Sequence, residues 1–82
     1  MKLIAITPGR EIYNGDIQSV KVPGTGGQFE ILNGHAPIVA ALSAGEVRII
    51  EKGGGKQTFK ITQGFVEVLH NEVALLIQSV VD

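Results

Sequence analysis

The chain has two histidines, His35 and His70, and they are the candidates for the base of a nucleophilic catalytic site. A nucleophilic site needs a Ser, Cys or Thr beside a His whose ring is oriented by a third group. Neither histidine stands in a recognisable motif of that kind. His70 precedes Glu72 in a polar stretch that is typical of a solvated turn. His35 lies between Gly34 and Ala36-Pro37, where it either holds a corner by hydrogen-bonding the backbone or contacts a partner.

Other residue patterns that could support chemistry are equally weak. No two histidines have a metal-ligand spacing such as His-x-x-x-His. The segment Gly24–Gly27 resembles a phosphate-binding loop, but such a loop needs a helix N-terminus behind it, and strand residues follow instead. Glu11 with Asp16, or Glu46 with Glu51, would need an aromatic-walled cleft to separate the pKa values of the two carboxyls. The chain has only one Tyr and three Phe. The sequence therefore predicts no catalytic residue, no metal site and no cofactor.

Composition narrows the class of partner. Seven basic and eight acidic residues give a net charge of -1, which provides no basic surface for a nucleic-acid backbone. The chain has no cysteine, so it has neither disulfides nor a thiolate metal site. The longest apolar run, Val73–Ile77, is far shorter than the roughly 20 residues of a membrane span. Met1-Lys2 leads directly into a strand pattern without a signal-peptide or transit-peptide signature, so we expect the chain to stay where it is made.

Glycine and proline punctuate the chain and divide it into short segments rich in Ile, Val and Phe, which is typical of an all-β fold. We predict strands over 3–7, 11–13, 16–22, 28–31, 38–42, 46–51, 56–62, 65–69 and 72–80. Asn14-Gly15 predicts a tight turn and Pro23–Gly27 a loop, and the step from Ile17 to Val20 indicates a bulge. The last strand is the most apolar and is expected to be central.

This pattern predicts a flattened antiparallel β-sandwich or barrel of nine to ten short strands, in a single domain over residues 1–82, and leaves no segment with room for a long helix. A domain of this size buries little more than half of the surface that its unfolded chain exposes. Its stability is therefore marginal, and a partner that covers part of its surface would help to stabilise it.

The stretch from Gly27 to Ile38 reads GQFEILNGHAPI. It resembles the signature of the epsilon subunit of F-type ATP synthases, in which a Gly-rich turn leads into a short apolar strand and then Gly-His-Ala-Pro. Four other segments are similar to that family in order and spacing. They are Tyr13-Asn14-Gly15 followed by Val20-Lys21-Val22, Ala44–Ile49, Gln63–Val68 and Asn71-Glu72-Val73.

The resemblance implies a non-catalytic β-sandwich at the foot of the rotor, which contacts the gamma subunit and the ring of c subunits and helps to couple proton transport to ATP synthesis. It implies a peripheral position on the cytoplasmic face of a bacterial inner membrane, with membrane association only through the complex. The ring-facing position of the family falls at Gln28, where an acidic residue is often found. His35 and Thr7 are further candidates for the gamma or ring surface.

Family members usually continue into a two-helix hairpin that restrains ATP hydrolysis, whereas this sequence ends at Asp82. We therefore expect the chain not to inhibit hydrolysis by a helical mechanism. The main alternative is a lipoyl or biotinyl carrier domain, in which a modified Lys stands at a hairpin tip. Lys52 and Lys56 lie at such a tip, but three glycines separate them. A small β-barrel enzyme is a third class that the sequence leaves open.

Overall fold

Nine β-strands and no helix make up residues 1–81, the part of the chain that a computed structural model describes. The strands are β1 (Lys2–Ile6), β2 (Glu11–Gly24), β3 (Gly27–Leu32), β4 (Ile38–Leu42), β5 (Gly45–Glu51), β6 (Lys56–Ile61), β7 (Gly64–Leu69), β8 (Glu72–Ile77) and β9 (Val80–Val81). Within these residues no helix is long and apolar enough to cross a membrane. The predicted all-β class is confirmed.

All nine strands belong to one hydrogen-bonded sheet that folds over on itself. Its order is β1-β8-β7-β4-β2-β5-β6-β9, with β3 beside β2 and an additional pairing of β1 with β2. The first half of β2 pairs with β1, and its second half pairs with β3 and β5. We call β1, β8, β7 and β4 the β8 layer, and β3, β5, β6, β9 and the second half of β2 the β5 layer. Only the pairing of β1 with β8 is parallel.

The core lies between the two layers. Inward positions alternate with outward ones along each strand, as the two-residue period of a strand requires. In β8, for example, Val73, Leu75 and Ile77 are buried. They meet side chains of the β5 layer such as Val47 and Ile49 in one cluster. Each large aliphatic side chain buried here contributes about 1.5–3 kcal/mol to folding.

The predicted tight turn at Asn14-Gly15 is wrong. Both residues lie inside β2, where Gly15 pairs with Leu3 and Asn14 with Ile4. A Cβ atom added to Gly15 would lie 3.2 Å from the Oη atom of Tyr13, so the ring of Tyr13 covers the glycine. The glycine therefore provides space for an aromatic ring and does not form a turn.

The predicted loop over Pro23–Gly27 is also wrong. β2 continues to Gly24 and β3 starts at Gly27, which leaves a two-residue turn, Thr25-Gly26. The backbone oxygen of Pro23 accepts a hydrogen bond of 2.8 Å from the N–H of Ser43. Proline is tolerated here because it lies near the end of its strand, where its missing N–H removes no ladder bond to β5.

The predicted last strand, 72–80, is divided by Gln78-Ser79 into β8 and β9. The N–H of Gln78 donates to the backbone oxygen of Gln63 over 2.9 Å, and the oxygen of Ser79 accepts from the N–H of Thr62 over 3.1 Å. The chain therefore leaves β7 and joins β6. The predicted number of strands agrees with the structure, because the predicted strands 11–13 and 16–22 are joined in β2 while the predicted strand 72–80 is divided into β8 and β9. β8 lies between β1 and β7, so its predicted interior position is confirmed.

Two local features confirm the sequence interpretation. Ile17 pairs with Glu51 and Ser19 with Ile50, so Gln18 is the extra residue of a bulge. His70 and Asn71 have φ angles of 50° and 61°, and together they form the turn between β7 and β8. Two successive residues of positive φ are typical of a type I′ hairpin turn.

Asn71 joins this turn to the segment that carries His35. Its Oδ1 atom accepts a hydrogen bond from the N–H of Gly34 over 2.9 Å, and its Nδ2 atom donates to Oδ1 of Asn33 over 2.6 Å. The segment between β3 and β4 is thereby fixed against the end of the β8 layer.

We predict that Asn71→Ala lowers the free energy of unfolding by about 1–3 kcal/mol, because it removes both hydrogen bonds and places an alanine at a positive φ. Urea unfolding measures this change. Asn14→Ala is the matched control, because the Asn14 side chain makes one exposed 3.3 Å hydrogen bond to Glu11. We expect the control to cost less than about 0.5 kcal/mol. Equal costs for the two variants would contradict the role given to Asn71.

Candidate partner interface

The outer face of the β8 layer is mostly apolar, although it is not covered by any part of residues 1–81. Large side chains on it are substantially exposed: Val39 by 71%, Phe65 by 56% and Leu76 by 49%. We call this surface the apolar face. Its members are Ile4, Ile6, Val39, Ala41, Phe65, Leu69, Ala74 and Leu76.

The strand register makes the apolar face continuous across the layer. Ile6 pairs with Leu76, Leu76 with Phe65, and Phe65 with Ala41. These four residues form an unbroken row over β1, β8, β7 and β4. Paired residues on the same face of a sheet have Cβ atoms about 4.5–5.5 Å apart, so each side chain is within contact distance of its neighbour in the row.

Polar residues border this surface at one end and along β2. Lys2 and Glu72 pair at one end of the layer, and Asn14 and Asp16 lie on the adjoining half of β2. A second row across the layer runs through Ile4, Ala74, Glu67 and Val39. Within residues 1–81, Glu67 is the one charged side chain of this row. An apolar centre with a polar margin is the common arrangement of a protein–protein interface.

The opposite outer face, on the β5 layer, has the character of a solvated surface. Arg48 forms an ion pair of 2.7 Å with Glu30, and Lys21 lies between them in the register. Thr58 and Lys60 on β6 are exposed. The two outer faces of the sandwich therefore differ in chemistry, and only the one on the β8 layer presents a broad apolar surface. Such a surface on a soluble domain marks a site of association.

The sequence contained a signal for this face. Leu3–Ile6 and Val73–Ile77 are apolar at consecutive positions, and a strand reads this way when both of its faces are apolar. For the last strand, this run predicts a central position in the sheet. In the structure the odd-numbered residues of β8 face the core, while Leu76 lies on the outer face.

Two of the three residues singled out from the sequence lie at the same end of the sandwich. The Oγ1 atom of Thr7 accepts hydrogen bonds from the N–H groups of Gly9 and Arg10 over 3.3 and 3.2 Å, so Thr7 orders the turn after β1. Gln28 is exposed as the second residue of β3, close after the Thr25-Gly26 turn. Thr7 and Gln28 line neighbouring grooves that share Thr25.

His35 lies at the opposite end, near the turn between β7 and β8. It is partly exposed, its backbone N–H donates to the oxygen of Leu32 over 3.0 Å, and its Nδ1 atom is 2.7 Å from the oxygen of Ala36. The contact with Ala36 supports the corner-holding role, and the partial exposure leaves one side of the ring accessible. The structure therefore does not bring Thr7, Gln28 and His35 into one site.

A pKa shift occurs at Tyr13, away from the apolar face. Burial raises the pKa of this phenol, and its hydrogen bond of 3.1 Å to Oε2 of Glu51 and the nearby charges of Glu51 and Asp16 raise it further. Gln57 donates to the same carboxylate oxygen over 2.9 Å. This network joins β2, β5 and β6 and has the character of a structural contact. Residues 1–81 contain no group of three or more His, Cys, Asp or Glu side chains that could hold a metal ion.

A β-sandwich with one charged and one apolar outer face has the features of a subunit domain that another protein covers. Residues 1–82 match the family model of the β-sandwich domain of the ATP synthase delta/epsilon chain. The chain belongs to this family, and the resemblance identified from the sequence is confirmed.

Relatives from bacteria support this assignment. The chain is 43% identical over 75 residues to the ATP synthase epsilon chain of Chlorobaculum tepidum, covering 92% of this chain and 85% of the relative. It is 40% identical over 79 residues to that of Chlorobium limicola, covering 96% and 90%. Against the epsilon chain of Protochlamydia amoebophila it is 40% identical over 78 residues, covering 95% of this chain and 53% of the relative. The chain thus spans most of the first two relatives and about half of the third.

Solved structures share the sandwich. A chain in the cryo-EM structure of the Euglena gracilis mitochondrial ATP synthase, comprising OSCP, F1 and the c-ring, superposes with a TM-score of 0.87 at 22% identity, over 96% of this chain and 51% of that chain. A chain of the central stalk and c-ring of the Tetrahymena thermophila mitochondrial enzyme gives 0.82 at 20% identity, over 100% and 66%. These matches confirm the β-sandwich fold.

Adjacent leucines in β8 test whether the apolar face is needed for folding. Leu75 is fully buried, whereas Leu76 is 49% exposed on the apolar face. We predict that Leu75→Ala lowers the free energy of unfolding by about 2–5 kcal/mol and Leu76→Ala by less than about 1 kcal/mol, as measured by urea unfolding. A cost for Leu76→Ala as large as that for Leu75→Ala would show that the apolar face belongs to the folding core.

Proposed function

We propose that this chain is a non-catalytic central-stalk subunit of a bacterial F-type ATP synthase, which links the gamma subunit to the membrane ring of c subunits and supports coupling of proton transport to ATP synthesis. The observation that carries the proposal is the apolar face. Because the chain belongs to the epsilon-chain family, we infer that it assembles into an ATP synthase. The apolar face indicates which surface of the domain another subunit of that assembly covers.

In this proposal the gamma subunit covers the apolar face. The surface crosses four strands and has a polar margin. Among the outward strand residues within 1–81, Glu67 is the one charged side chain near its centre. Covering Val39, Phe65 and Leu76 removes apolar area from water, at about 25 cal/mol for each Å². That free energy also stabilises the domain, because binding to the folded state alone shifts the folding equilibrium. A domain with a small core gains from such a partner.

The c-ring lies, in this proposal, at the end of the sandwich that carries Gln28 and Thr7. This end presents the two-residue turn Thr25-Gly26 and the exposed amide of Gln28, which can donate and accept hydrogen bonds without a charge. An uncharged contact to the polar loops of the ring is weaker than the charge-assisted one that an acidic residue would make. His35, at the opposite end of the sandwich, is assigned to the gamma surface.

Residues 1–82 act as one domain in this account, and catalysis of ATP synthesis takes place on other subunits. Because residues 1–81 contain no helix, we expect this stretch to restore coupling to an epsilon-free enzyme without restraining ATP hydrolysis through a helical hairpin. The chain associates with the cytoplasmic face of the inner membrane through the complex. The carrier-domain alternative has no support in the family match, although Lys52 and Lys56 do flank the hairpin tip between β5 and β6.

The gamma assignment is tested by titrating the chain with purified gamma subunit from the same source in a calorimeter at physiological salt. We predict a one-to-one complex and a loss of affinity of roughly tenfold or more for Val39→Glu, because the carboxylate would be buried without a partner. Thr58→Glu, an exposed strand position on the β5 layer, is the matched control and should bind as the unmodified chain does. Absence of binding by the unmodified chain, or equal losses for both variants, would contradict the proposal.

The ring assignment needs a separate readout in the reconstituted enzyme. Gln28→Ala should reduce ATP-driven proton pumping while leaving the affinity for gamma unchanged, because the two contacts lie on different surfaces. A parallel loss of gamma affinity would move Gln28 to the gamma surface.

A further inference from the structure

The apolar face does not end flat at the Thr7 end of the sandwich but opens into a groove of about 600 Å³. Phe65 and Leu76 belong both to the apolar face and to the lining of the groove, as do Ile6 and Ala41. A partner that covers the face must therefore also cover the mouth of the groove. A volume of this size is well above that of one side chain, and it falls within the range of about 300–1,000 Å³ that is common for binding clefts.

The lining of the groove is uncharged. Its polar members are Thr7, Thr25, Gln63 and Gln78, and the other lining residues are apolar or glycine. The Oγ1 atom of Thr7 is engaged by the turn after β1. A charged group placed in the groove would lose water without gaining an opposite charge, whereas an apolar group would lose nothing. The chemistry of the lining thus favours an uncharged, bulky apolar occupant.

Backbone contacts hold the walls in place. The N–H of Thr25 donates to the oxygen of Ala41 over 3.1 Å, and the N–H of Gln78 donates to the oxygen of Gln63 over 2.9 Å. A Cβ atom added to Gly64 would collide with the backbone oxygen of Leu76, so the glycine allows β7 and β8 to approach closely at the groove. A groove with fixed walls loses little conformational entropy when it is filled.

We propose that this groove receives one large apolar side chain of the gamma subunit, which anchors the rotor contact at the ring-proximal end of the apolar face. The inference rests on the proposed function, because the partner is the one assigned to the apolar face with which the groove is continuous. Interfaces concentrate their binding energy in a few bulky side chains that fill pockets, and the surrounding contacts exclude water.

The test fills the groove from its rim. Gln63→Trp places an indole at an exposed lining position, and Thr58→Trp adds the same group to the outer face of the β5 layer as the matched control. We expect Gln63→Trp to weaken binding to purified gamma by roughly tenfold or more and Thr58→Trp to leave it unchanged. Urea unfolding of both variants checks that they fold.

A second measurement does not depend on filling the groove. The chain has no cysteine, so Gln78→Cys, at an exposed lining position of the groove, and Thr58→Cys each carry a single thiol. We expect gamma to slow alkylation of Gln78→Cys by roughly tenfold and to leave the rate for Thr58→Cys unchanged. If Gln63→Trp fails to fold, the alkylation rates decide.

The outcomes separate the two proposals. Normal affinity of Gln63→Trp, or an unchanged alkylation rate at Gln78→Cys, overturns the anchoring groove, while a loss of affinity for Val39→Glu in the same series leaves the proposed function standing. Absence of any complex with the unmodified chain overturns both.

Discussion

The structure depends on one strand that serves both layers. β2 pairs with β1 through its first half and with β3 and β5 through its second half. The bulge at Gln18 separates the two halves, and a bulge bends its strand and increases the local twist. Ile17 and Val20, on either side of the bulge, enter the same core. Because one continuous strand belongs to both layers, the sheet folds over without needing a long connection. The close packing of the two layers follows from that geometry.

In this two-layer arrangement, the β8 layer has two apolar faces. The inner face supplies about half of the core, while the outer face exposes Phe65, Leu76 and Val39. In a chain of 82 residues there is no further element within 1–81 that covers the outer face. The same surface explains why a domain with a small core can be stable in an assembly, since a partner extends its core from outside. The charged β5 layer, with its Glu30–Arg48 pair, remains the solvated side.

The strands could be predicted because alternation and glycine spacing are local properties of the sequence. The errors occurred where a tertiary contact changed the meaning of a local signal. Asn14-Gly15 reads as a turn, but the ring of Tyr13 and the pairing with β1 keep it extended. The apolar face could not be derived from sequence alone, since Ile6, Phe65 and Leu76 become neighbours only through the strand register. For the same reason the sequence could name Thr7, Gln28 and His35 but could not show that His35 lies at the opposite end of the sandwich from Thr7 and Gln28.

The most direct test of the account is a methyl NMR map of the isotope-labelled chain as the gamma subunit is added. Leu69 and Leu76 lie on the apolar face, exposed by 48% and 49%, and Val81 lies on β9 of the β5 layer, exposed by 48%. We predict that the methyl signals of Leu69 and Leu76 shift or broaden in proportion to the complex formed, while those of Val81 stay in place. Changes confined to Val81, with Leu69 and Leu76 unaffected, would place gamma on the other face and contradict the proposed function.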